Sequence, residues 1–208
     1  KEGTASDADN KAIITNLSAG YYFVKDTGTI NNDEIATKFL VRVVGNADVT
    51  IKAKAPTIDK KIVDNNTDTN RTSANIGDQV EFKLTATVPD MASFETYTFT
   101  ISDTLSKGLT FDETSVAVKI DTKTLTAGTN YTLTPPANPA TNNTFTITFT
   151  KAQLADYVVH DTGATIVVTY KATLNENALT TDKESNKAKL EYSNNPNSAQ
   201  TGTVKTPD

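Results

Sequence analysis

Hydrophobic and polar residues alternate along most of the chain. The clearest run spans 144–150, where Phe145, Ile147 and Phe149 are separated by threonines. A period of two places apolar side chains on one face of a β-strand and polar side chains on the other. The pattern therefore predicts many short strands, each with one buried face. Similar runs lie at 80–86, 97–101, 115–120, 165–172 and 188–192.

Turn-forming residues separate these runs. Short strands with frequent turns between them are typical of a sandwich of two sheets. The only helical signal is a single turn at 150–155, which Thr150 can cap. We therefore predict an all-β, immunoglobulin-like β-sandwich. The turn signals, rich in Gly, Pro and Asp, lie at 76–78, 89–90, 107–108, 135–136 and 161–163.

The sequence divides near Pro56. Residues 1–55 contain only two or three strand-like runs, which are too few for an independent sandwich. We interpret them as the C-terminal portion of a preceding immunoglobulin-like domain, and we expect the chain to be a piece of a longer protein. Residues 56–197 carry the alternating runs and are predicted to form one complete domain. Residues 198–208 are predicted to be a linker or tail.

Composition narrows the class of protein. The 208 residues include 38 threonines, and β-branched threonine favours half-exposed strand surfaces. A net charge of −5 without a basic stripe argues against nucleic acid as a partner. No apolar run approaches the roughly 20 residues that cross a bilayer, so no membrane contact is expected for this part of the protein. Because there is no cysteine, disulfide bonds cannot stabilise the fold.

Three polar residues share strand faces with apolar neighbours. Lys60 is in phase with the isoleucines two residues before and after it, and Asp103 and Asn186 are likewise in phase with apolar residues. A charge buried in a core costs several kcal/mol unless it is neutralised or paired. A Lys, an Asp and an Asn that face one interior therefore suggest a shared chemical purpose.

Three segments together resemble a known family. They are 56–62 (Pro-Thr-Ile-Asp-Lys-Lys-Ile), 97–109, which contains Asp-Thr-Leu-Ser-Lys-Gly-Leu, and 186–194, which contains Asn-Lys-Ala-Lys-Leu-Glu-Tyr. In this order they resemble the isopeptide-forming domain of sortase-assembled Gram-positive pilus shaft proteins, over about residues 56–197. The resemblance implies a collagen-adhesin-type immunoglobulin-like fold with a covalent Lys–Asn cross-link.

The resemblance also implies roles for the three inward polar residues. Lys60 and Asn186 would form the bond, and Asp103 would assist. Burial lowers a lysine pKa and raises an aspartate pKa, so that both groups can be neutral. Protonated Asp103 is expected to hydrogen-bond to the Asn186 carboxamide oxygen while neutral Lys60 attacks and ammonia leaves. The event happens once per molecule, so the protein is not expected to be a turnover enzyme.

Each of these residues has an ordinary alternative role. Lys61 stays open as the cross-linking lysine, because a one-residue slip exchanges the two faces of a strand. Asp103 is alternatively a turn residue, and Asn186 a solvated loop residue. If the cross-link forms, it closes a loop of roughly 126 residues, which stabilises the fold by about 5 kcal/mol in the chain-entropy model.

The resemblance further implies partners outside the cell. Sortase joins such subunits through a lysine of the first domain, and Lys52 and Lys54 lie in about the right place, although the Tyr-Pro-Lys core of the usual motif is absent. Solvated lysines at a strand edge, which discourage aggregation, are the alternative. The expected partners are other copies of the pilin, joined by sortase, and a host extracellular ligand.

No cofactor or metal site is predicted. Residues 64–70 have oxygen ligands at alternate positions but lack the Gly and Glu of a calcium loop. His160 is the only histidine, which excludes a multi-histidine site and a histidine-based triad.

Asp26 resembles the assisting acid of a second kind of isopeptide in collagen-adhesin B-type domains, with an exposed turn residue as the alternative.

The functional expectation is a structural subunit or stalk domain of a Gram-positive surface pilus, extracellular and attached to the cell wall. The alternative is a cell-wall-anchored adhesin domain that binds a host ligand through its loops. The two share a fold, so the fold cannot separate them. A cluster of exposed aromatic residues would favour adhesion, and Tyr131 and Tyr157 are the candidates.

Overall fold

The computed structural model describes residues 5–6, 11–46, 49, 54–157, 163–180 and 183–207. Within them lie one α-helix, α1 (Lys151–Leu154), and two 3-10 turns, Ala155–Tyr157 and Glu176–Thr180. No helix in these ranges is long and apolar enough to cross a membrane. The strands are β1 (Ala5–Ser6), β2 (Lys11–Ala12), β3 (Gly20–Lys25), β4 (Lys38–Val43), β5 (Ile58–Asp64), β6 (Thr67–Thr69), β7 (Gln79–Thr87), β8 (Phe99–Leu105), β9 (Leu109–Ile120), β10 (Lys123–Leu125), β11 (Thr132–Thr134), β12 (Thr144–Phe149), β13 (Thr165–Leu174), β14 (Asn186–Ser193) and β15 (Thr201–Lys205).

Two antiparallel sheets form the main domain. The six-stranded sheet has the order β10-β9-β13-β7-β5-β6, and the five-stranded sheet has the order β11-β12-β8-β14-β15. The predicted all-β, immunoglobulin-like sandwich is confirmed. Strands β5 and β14 are far apart in sequence but approach each other across the sandwich, which brings the start of the domain close to its end.

Alternation along the strands produces the core. In β12, Phe145, Ile147 and Phe149 are buried, and the threonines between them are more exposed. The hydroxyls of Thr100 on β8 and Thr148 on β12 contact each other across the ladder, as expected for polar pairs on the outer face of a sheet. The high threonine content is thus explained by the outer faces of the sheets, where threonines alternate with the apolar residues of the core.

The ladder between β9 and β13 is interrupted opposite Tyr170. The register shifts between Thr169 and Lys171, so that residues 113–116 of β9 lie opposite Tyr170. Ser115 Oγ in this bulge accepts a hydrogen bond from the backbone N–H of Lys171 at 2.7 Å. Bulges of this kind bend a strand locally and are common beside functional sites.

The C-terminal segment is part of a sheet. The prediction of a linker at 198–208 was wrong for β15, which pairs with β14 along its whole length. Val204 packs against the core, and Thr206 Oγ1 accepts a hydrogen bond from the backbone N–H of Ala188 at 3.0 Å. The domain therefore extends beyond residue 197 by one edge strand.

The N-terminal part contains two short hairpins, β1–β2 and β3–β4. On β3–β4, Tyr21, Phe23 and Leu40 are 71%, 63% and 68% exposed. Isolated two-stranded sheets are marginally stable in water. The interpretation of residues 1–55 as a portion of a preceding domain stays a prediction.

The loop between β3 and β4 contacts the end of the five-stranded sheet. The hydroxyl of Tyr192 on β14 donates to the carbonyl of Asn32, and the side-chain amide of Asn194 donates to the carbonyl of Asn31 at 3.0 Å. Gly202 on β15 lies against the same place, because a Cβ added there would lie 2.3 Å from the Asn32 oxygen. A glycine is therefore required where this loop meets the sheet.

Candidate cross-link site

Lys60 extends from β5 into the space between the sheets. Its side chain is only 8% exposed, and its Nζ lies 2.6 and 2.8 Å from the two carboxylate oxygens of Asp103. The same Nζ lies 5.2 Å from the ring centre of Phe82 and 5.8 Å from that of Tyr170. An aromatic face attracts a cation at such distances. The lysine therefore occupies a dry pocket with one charged partner.

Lys61, the neighbour on the same strand, lies on the other face. Its side chain is 33% exposed, and its Nζ donates to Asn70 Oδ1 at 2.8 Å. The period of two along β5 thus places one lysine of the pair inside and the other outside. Lys60 is the lysine that contacts the buried acid.

Asp103 lies on β8, in the middle of the five-stranded sheet. Its neighbours across the ladder are Phe145 on β12 and Ala188 on β14, and its side chain is fully buried. Its sheet neighbours offer no side-chain donor, so the carboxylate requires donors from across the sandwich. Lys60 and the hydroxyl of Tyr170 provide them.

Asn186 is the first residue of β14 and is paired with Leu105. Its Nδ2 donates to the hydroxyl of Tyr170 at 2.6 Å. Its Oδ1 is buried and has no hydrogen-bond partner among the described residues. An unsatisfied buried carbonyl is unusual, and here it belongs to the group that the proposed reaction would attack.

Tyr170 belongs to the site although the sequence pattern does not mark it as a functional residue. It lies on β13, is fully buried, and donates its hydroxyl to Asp103 Oδ2 at 2.7 Å. The alternation of 165–172 places it on the inner face, and a buried tyrosine hydroxyl requires a polar partner. That requirement was the only signal in the sequence. Tyr170 completes a hydrogen-bonded series from Lys60 through Asp103 to Asn186.

The expected direct contact between Asp103 and the Asn186 carboxamide oxygen is absent from these interactions. Both carboxylate oxygens of Asp103 are occupied, one by Lys60 alone and the other by Lys60 and Tyr170. Because a phenol has one hydrogen and Tyr170 donates it to Asp103, the phenol can only accept from Asn186. This explains why the amide nitrogen, and not its oxygen, faces the tyrosine.

Burial changes the acid–base properties of these groups. It lowers the pKa of Lys60 to about 8, against the opposing attraction of Asp103. It raises the pKa of Asp103, against the opposing effects of Lys60 and Tyr170. Burial, assisted by the Asp103 carboxylate, raises the pKa of Tyr170 well above its ordinary value. All three shifts favour uncharged forms, as expected in a dry core.

The arrangement combines an amine, an acid and an amide. A neutral Lys60 is a nucleophile, a protonated Asp103 is a proton donor, and Asn186 offers a carboxamide. Two of the four side chains come from each sheet: Lys60 and Tyr170 from the six-stranded sheet, Asp103 and Asn186 from the five-stranded sheet. Folding of the sandwich is therefore the event that assembles the group.

The remaining predicted positions lie away from this cluster. Lys52 lies outside the described residues, and Lys54 is exposed. Asp26 Oδ2 accepts hydrogen bonds from the backbone N–H and hydroxyl of Thr37, a local bond across the β3–β4 hairpin. His160 also lies outside the described residues.

The acidic loop at 64–70 is engaged by protein groups. Asp64 Oδ2 accepts a hydrogen bond from Thr72 Oγ1 at 2.6 Å, and Asp68 forms an ion pair with Lys83. In the part of the chain that the structure describes, no group of three or more His, Asp or Glu residues is arranged to hold a metal ion.

Comparison with known proteins identifies relatives among pilins. The family model for the Gram-positive pilin backbone subunit 2, Cna-B-like domain, matches residues 76–196. This stretch is more than half of the chain and includes Asp103, Tyr170 and Asn186. A search of curated proteins finds no match.

Solved structures give the same result. The pilus backbone RrgB from Streptococcus pneumoniae is 30% identical with a TM-score of 0.55, over 68% of this chain and 53% of that one. A C-terminal fragment of the major pilin GBS80 of Streptococcus agalactiae is 25% identical with a TM-score of 0.60, over 74% of this chain and 55% of that one. The T6 backbone pilin of Streptococcus pyogenes, at 21% identity, shares the fold with a TM-score of 0.65, over 98% of this chain and 48% of that one.

The chain spans about half the length of the first two pilins. Its matched stretch covers most of the sandwich, from the start of β7 to the end of β14. The family match and the identity to RrgB lead to one conclusion: this chain belongs to the Gram-positive pilin backbone family.

Proposed function

We propose that this chain is a structural part of the shaft of a Gram-positive surface pilus, and that Lys60 and Asn186 become joined by an isopeptide bond. One observation carries the proposal: Lys60 and Asn186 are connected inside the core through Asp103 and Tyr170. A buried salt bridge is not by itself a strong source of stability. Amide exchange requires an amine, an acid and an amide, and these are the groups present in the site. A reaction between them would explain why they are buried together.

The reaction follows from the acid–base properties of the site. Proton transfer from Lys60 to Asp103 within their contact yields a neutral amine and a neutral acid. The amine attacks the side-chain carbonyl carbon of Asn186, and the amide nitrogen leaves as ammonia. Folding brings β5 and β14 together across the sandwich, and proximity between well-oriented groups can lower a barrier by about 7–11 kcal/mol relative to separate reactants.

The product links opposite sheets of the sandwich. It joins β5, the first strand of the domain, to β14, its penultimate strand, with a bond that reducing agents do not cleave. A protein without cysteine thereby gains a covalent constraint. The reaction occurs once in each molecule, so the role is structural rather than enzymatic.

The place of action is the cell surface. Membership of the pilin backbone family and the relatedness to pilus backbones support polymerisation of this chain with further copies at the cell surface. Joining by sortase and attachment to the wall follow from the resemblance of the sequence to sortase-assembled shaft proteins. Lys54, which is exposed, stays a candidate for the intermolecular bond together with Lys52.

The two tyrosines that were candidates for an adhesive cluster do not support the adhesin alternative, because Tyr131 is only 3% exposed and Tyr157 lies partly buried beneath Lys123. The exposed aromatic residues Tyr21 and Phe23 lie on the β3–β4 hairpin instead.

Intact mass under denaturing conditions tests the proposal. The expected mass is lower than that of the sequence by one ammonia, and digestion should release a branched peptide that joins the Lys60 and Asn186 regions. Asp103→Ala should restore the full mass. A full mass in the unaltered protein would refute the cross-link and leave only the pilin fold.

A further inference from the structure

The hydroxyl of Tyr170 lies between the acid and the amide of the proposed reaction. It is 2.7 Å from Asp103 Oδ2 and 2.6 Å from Asn186 Nδ2. Asp103 itself has no direct hydrogen bond to Asn186 among the described interactions. Any proton that passes from this acid to the amide nitrogen by hydrogen bonds therefore passes through the phenol.

The nitrogen that Tyr170 contacts is the atom that must leave. An amide nitrogen departs as ammonia only after it gains a proton, because the amide anion is far too basic to leave at neutral pH. Acid assistance at the carbonyl oxygen, which was the role expected for Asp103, does not protonate the leaving nitrogen. Of the described side chains, Tyr170 is the one with a hydroxyl in hydrogen-bond contact with that nitrogen.

We propose that Tyr170 is a catalytic residue, which relays a proton from Asp103 to the leaving nitrogen of Asn186. The relay rests on the proposed function and describes one step of it. Packing holds the phenol in place: its ring is stacked on Phe82 at 5.3 Å between centres and meets the edge of Phe145 at 4.8 Å.

The steps balance without any co-reactant. Lys60 first gives a proton to Asp103, and its amine then bonds to the Asn186 carbonyl carbon, whose oxygen takes the electron pair. In the structure the Tyr170 hydrogen is directed at Asp103. Once Asp103 is protonated, the phenol turns that hydrogen toward the Asn186 nitrogen, which becomes basic in the tetrahedral intermediate. Asp103 then passes its proton to the Tyr170 oxygen as Tyr170 passes its own to that nitrogen. The carbonyl re-forms, the carbon–nitrogen bond breaks, and ammonia leaves. The new amide nitrogen then returns a proton to Asp103, which ends neutral beside the isopeptide.

The acid–base properties of Tyr170 suit a relay. Burial and the Asp103 carboxylate raise its pKa well above its ordinary value, so the phenol does not persist as an anion. It accepts one proton as it gives another. This explains how a residue that stays neutral can still take part in proton transfer.

Refolding of freshly made, unlinked chain provides the test. Protein taken from inclusion bodies in denaturant is diluted to refold, and the loss of ammonia is followed by intact mass, with near-ultraviolet circular dichroism as the measure of folding. Tyr170→Phe should fold and lose ammonia about 100-fold more slowly than the unaltered chain, as expected for loss of general acid catalysis. Tyr192→Phe is the matched control, because it removes another buried hydroxyl, and it should react at the unaltered rate.

The solvent isotope effect separates a relay from simple positioning. In mixtures of light and heavy water, a curved dependence of the rate on deuterium content indicates two protons in flight, as the relay requires. A straight line, or a Tyr170→Phe rate within twofold of the unaltered rate, would overturn the relay. Because the isotope measurement uses the unaltered chain, it decides the matter even if Tyr170→Phe does not fold. Failure of the proposed function is distinct, since the unaltered chain would then lose no ammonia at all.

Discussion

The ammonium of Lys60 and the carboxylate of Asp103 come from opposite sheets and meet 2.6 Å apart. The side chains are 8% and 0% exposed, so water screens their interaction very little. A contact of this kind is either a costly ion pair or the start of a reaction. Variants of Lys60 and the pH dependence of cross-linking distinguish an ion pair from a reacting pair.

Lys60→Met should abolish the cross-link, and Lys61→Met should not. Methionine keeps most of the buried volume of Lys60 but removes the nucleophile, whereas Lys61 lies on the outer face. Loss of a bond that closes a loop of roughly 126 residues should lower the free energy of unfolding by about 5 kcal/mol. For a domain of this size the melting temperature should fall by about 10–20 °C.

Mass spectrometry and calorimetry of the two variants check this prediction. Lys61→Met serves as the control for loss of one lysine from the same strand. Equal masses and equal melting temperatures in the two variants would show that Lys60 is not the bonded residue.

The rate of cross-linking should show a bell-shaped dependence on pH. The active state of the Lys60–Asp103 pair holds one proton between the two groups. Above about pH 8 the pair loses that proton, because burial lowers the pKa of Lys60 to about 8, and no acid then remains. In acid, at the raised pKa of Asp103, the pair gains a second proton and the amine is no longer nucleophilic.

Refolding at a series of pH values, with samples stopped in acid and weighed, would give this profile. Folding must be followed in parallel at each pH so that slow folding is not mistaken for slow chemistry. A rate that rises steadily above pH 8 would contradict the requirement for an acid.

An unlinked variant, Asn186→Ala, should become more stable as the pH rises from about 8 to 10.5. In this window Lys60 holds a proton in the unfolded chain, where its pKa is ordinary, and lacks it in the folded chain. The unfolded state then binds more protons, so the free energy of unfolding increases with pH. The gain should be on the order of a few kcal/mol.

Urea unfolding across this pH range measures the effect. The double variant Lys60→Met with Asn186→Ala lacks the titrating amine and should not show the rise. If the single and double variants change in parallel, the pKa of Lys60 is not lowered in the fold.

Gly202→Ala should loosen the loop between β3 and β4 from the sandwich. The added Cβ would lie 2.3 Å from the Asn32 oxygen and 3.0 Å from the Tyr192 hydroxyl, so backbone has to move. Overpacking of this kind costs about 1–3 kcal/mol. Gly45→Ala is the control, because a Cβ there meets nothing within 4 Å.

Urea unfolding and limited proteolysis of these two glycine variants check the prediction. Gly202→Ala should be cut faster near residue 32 than the unaltered protein. Equal cleavage in both variants would mean that the contact with Asn32 does not hold the loop.

Alternation predicted the sandwich because it reports directly which face of a strand is buried. The run of Phe145, Ile147 and Phe149 is a buried face in the structure. The same rule could not choose between Lys60 and Lys61. Adjacent residues of a strand lie on opposite faces, and a register shift of one residue would exchange which of the two lysines faces the core. Register across β5 and β7 settles their orientation.

Two features of the structure could not be predicted from the sequence, for different reasons. Tyr170 is an ordinary core aromatic by its pattern, and its importance depends on which atoms its hydroxyl meets across the sandwich. The strand β15 is short, polar and interrupted by Gly202, so it resembles a linker until β14 is available to pair with it. Both features depend on contacts between separate strands, which the sequence pattern of a single strand does not reveal.

The positions of Lys60 and Asn186 also determine how far this domain could be extended by a force applied to its two ends. A bond between them would carry the force directly from β5 to β14, and the residues between would form a closed side loop. At about 3.4 Å for each extended residue, the loop withholds about 400 Å of chain from any extension. A filament built from such units would therefore behave as a cable of nearly fixed length, even if the sandwich between its cross-linked strands were to melt.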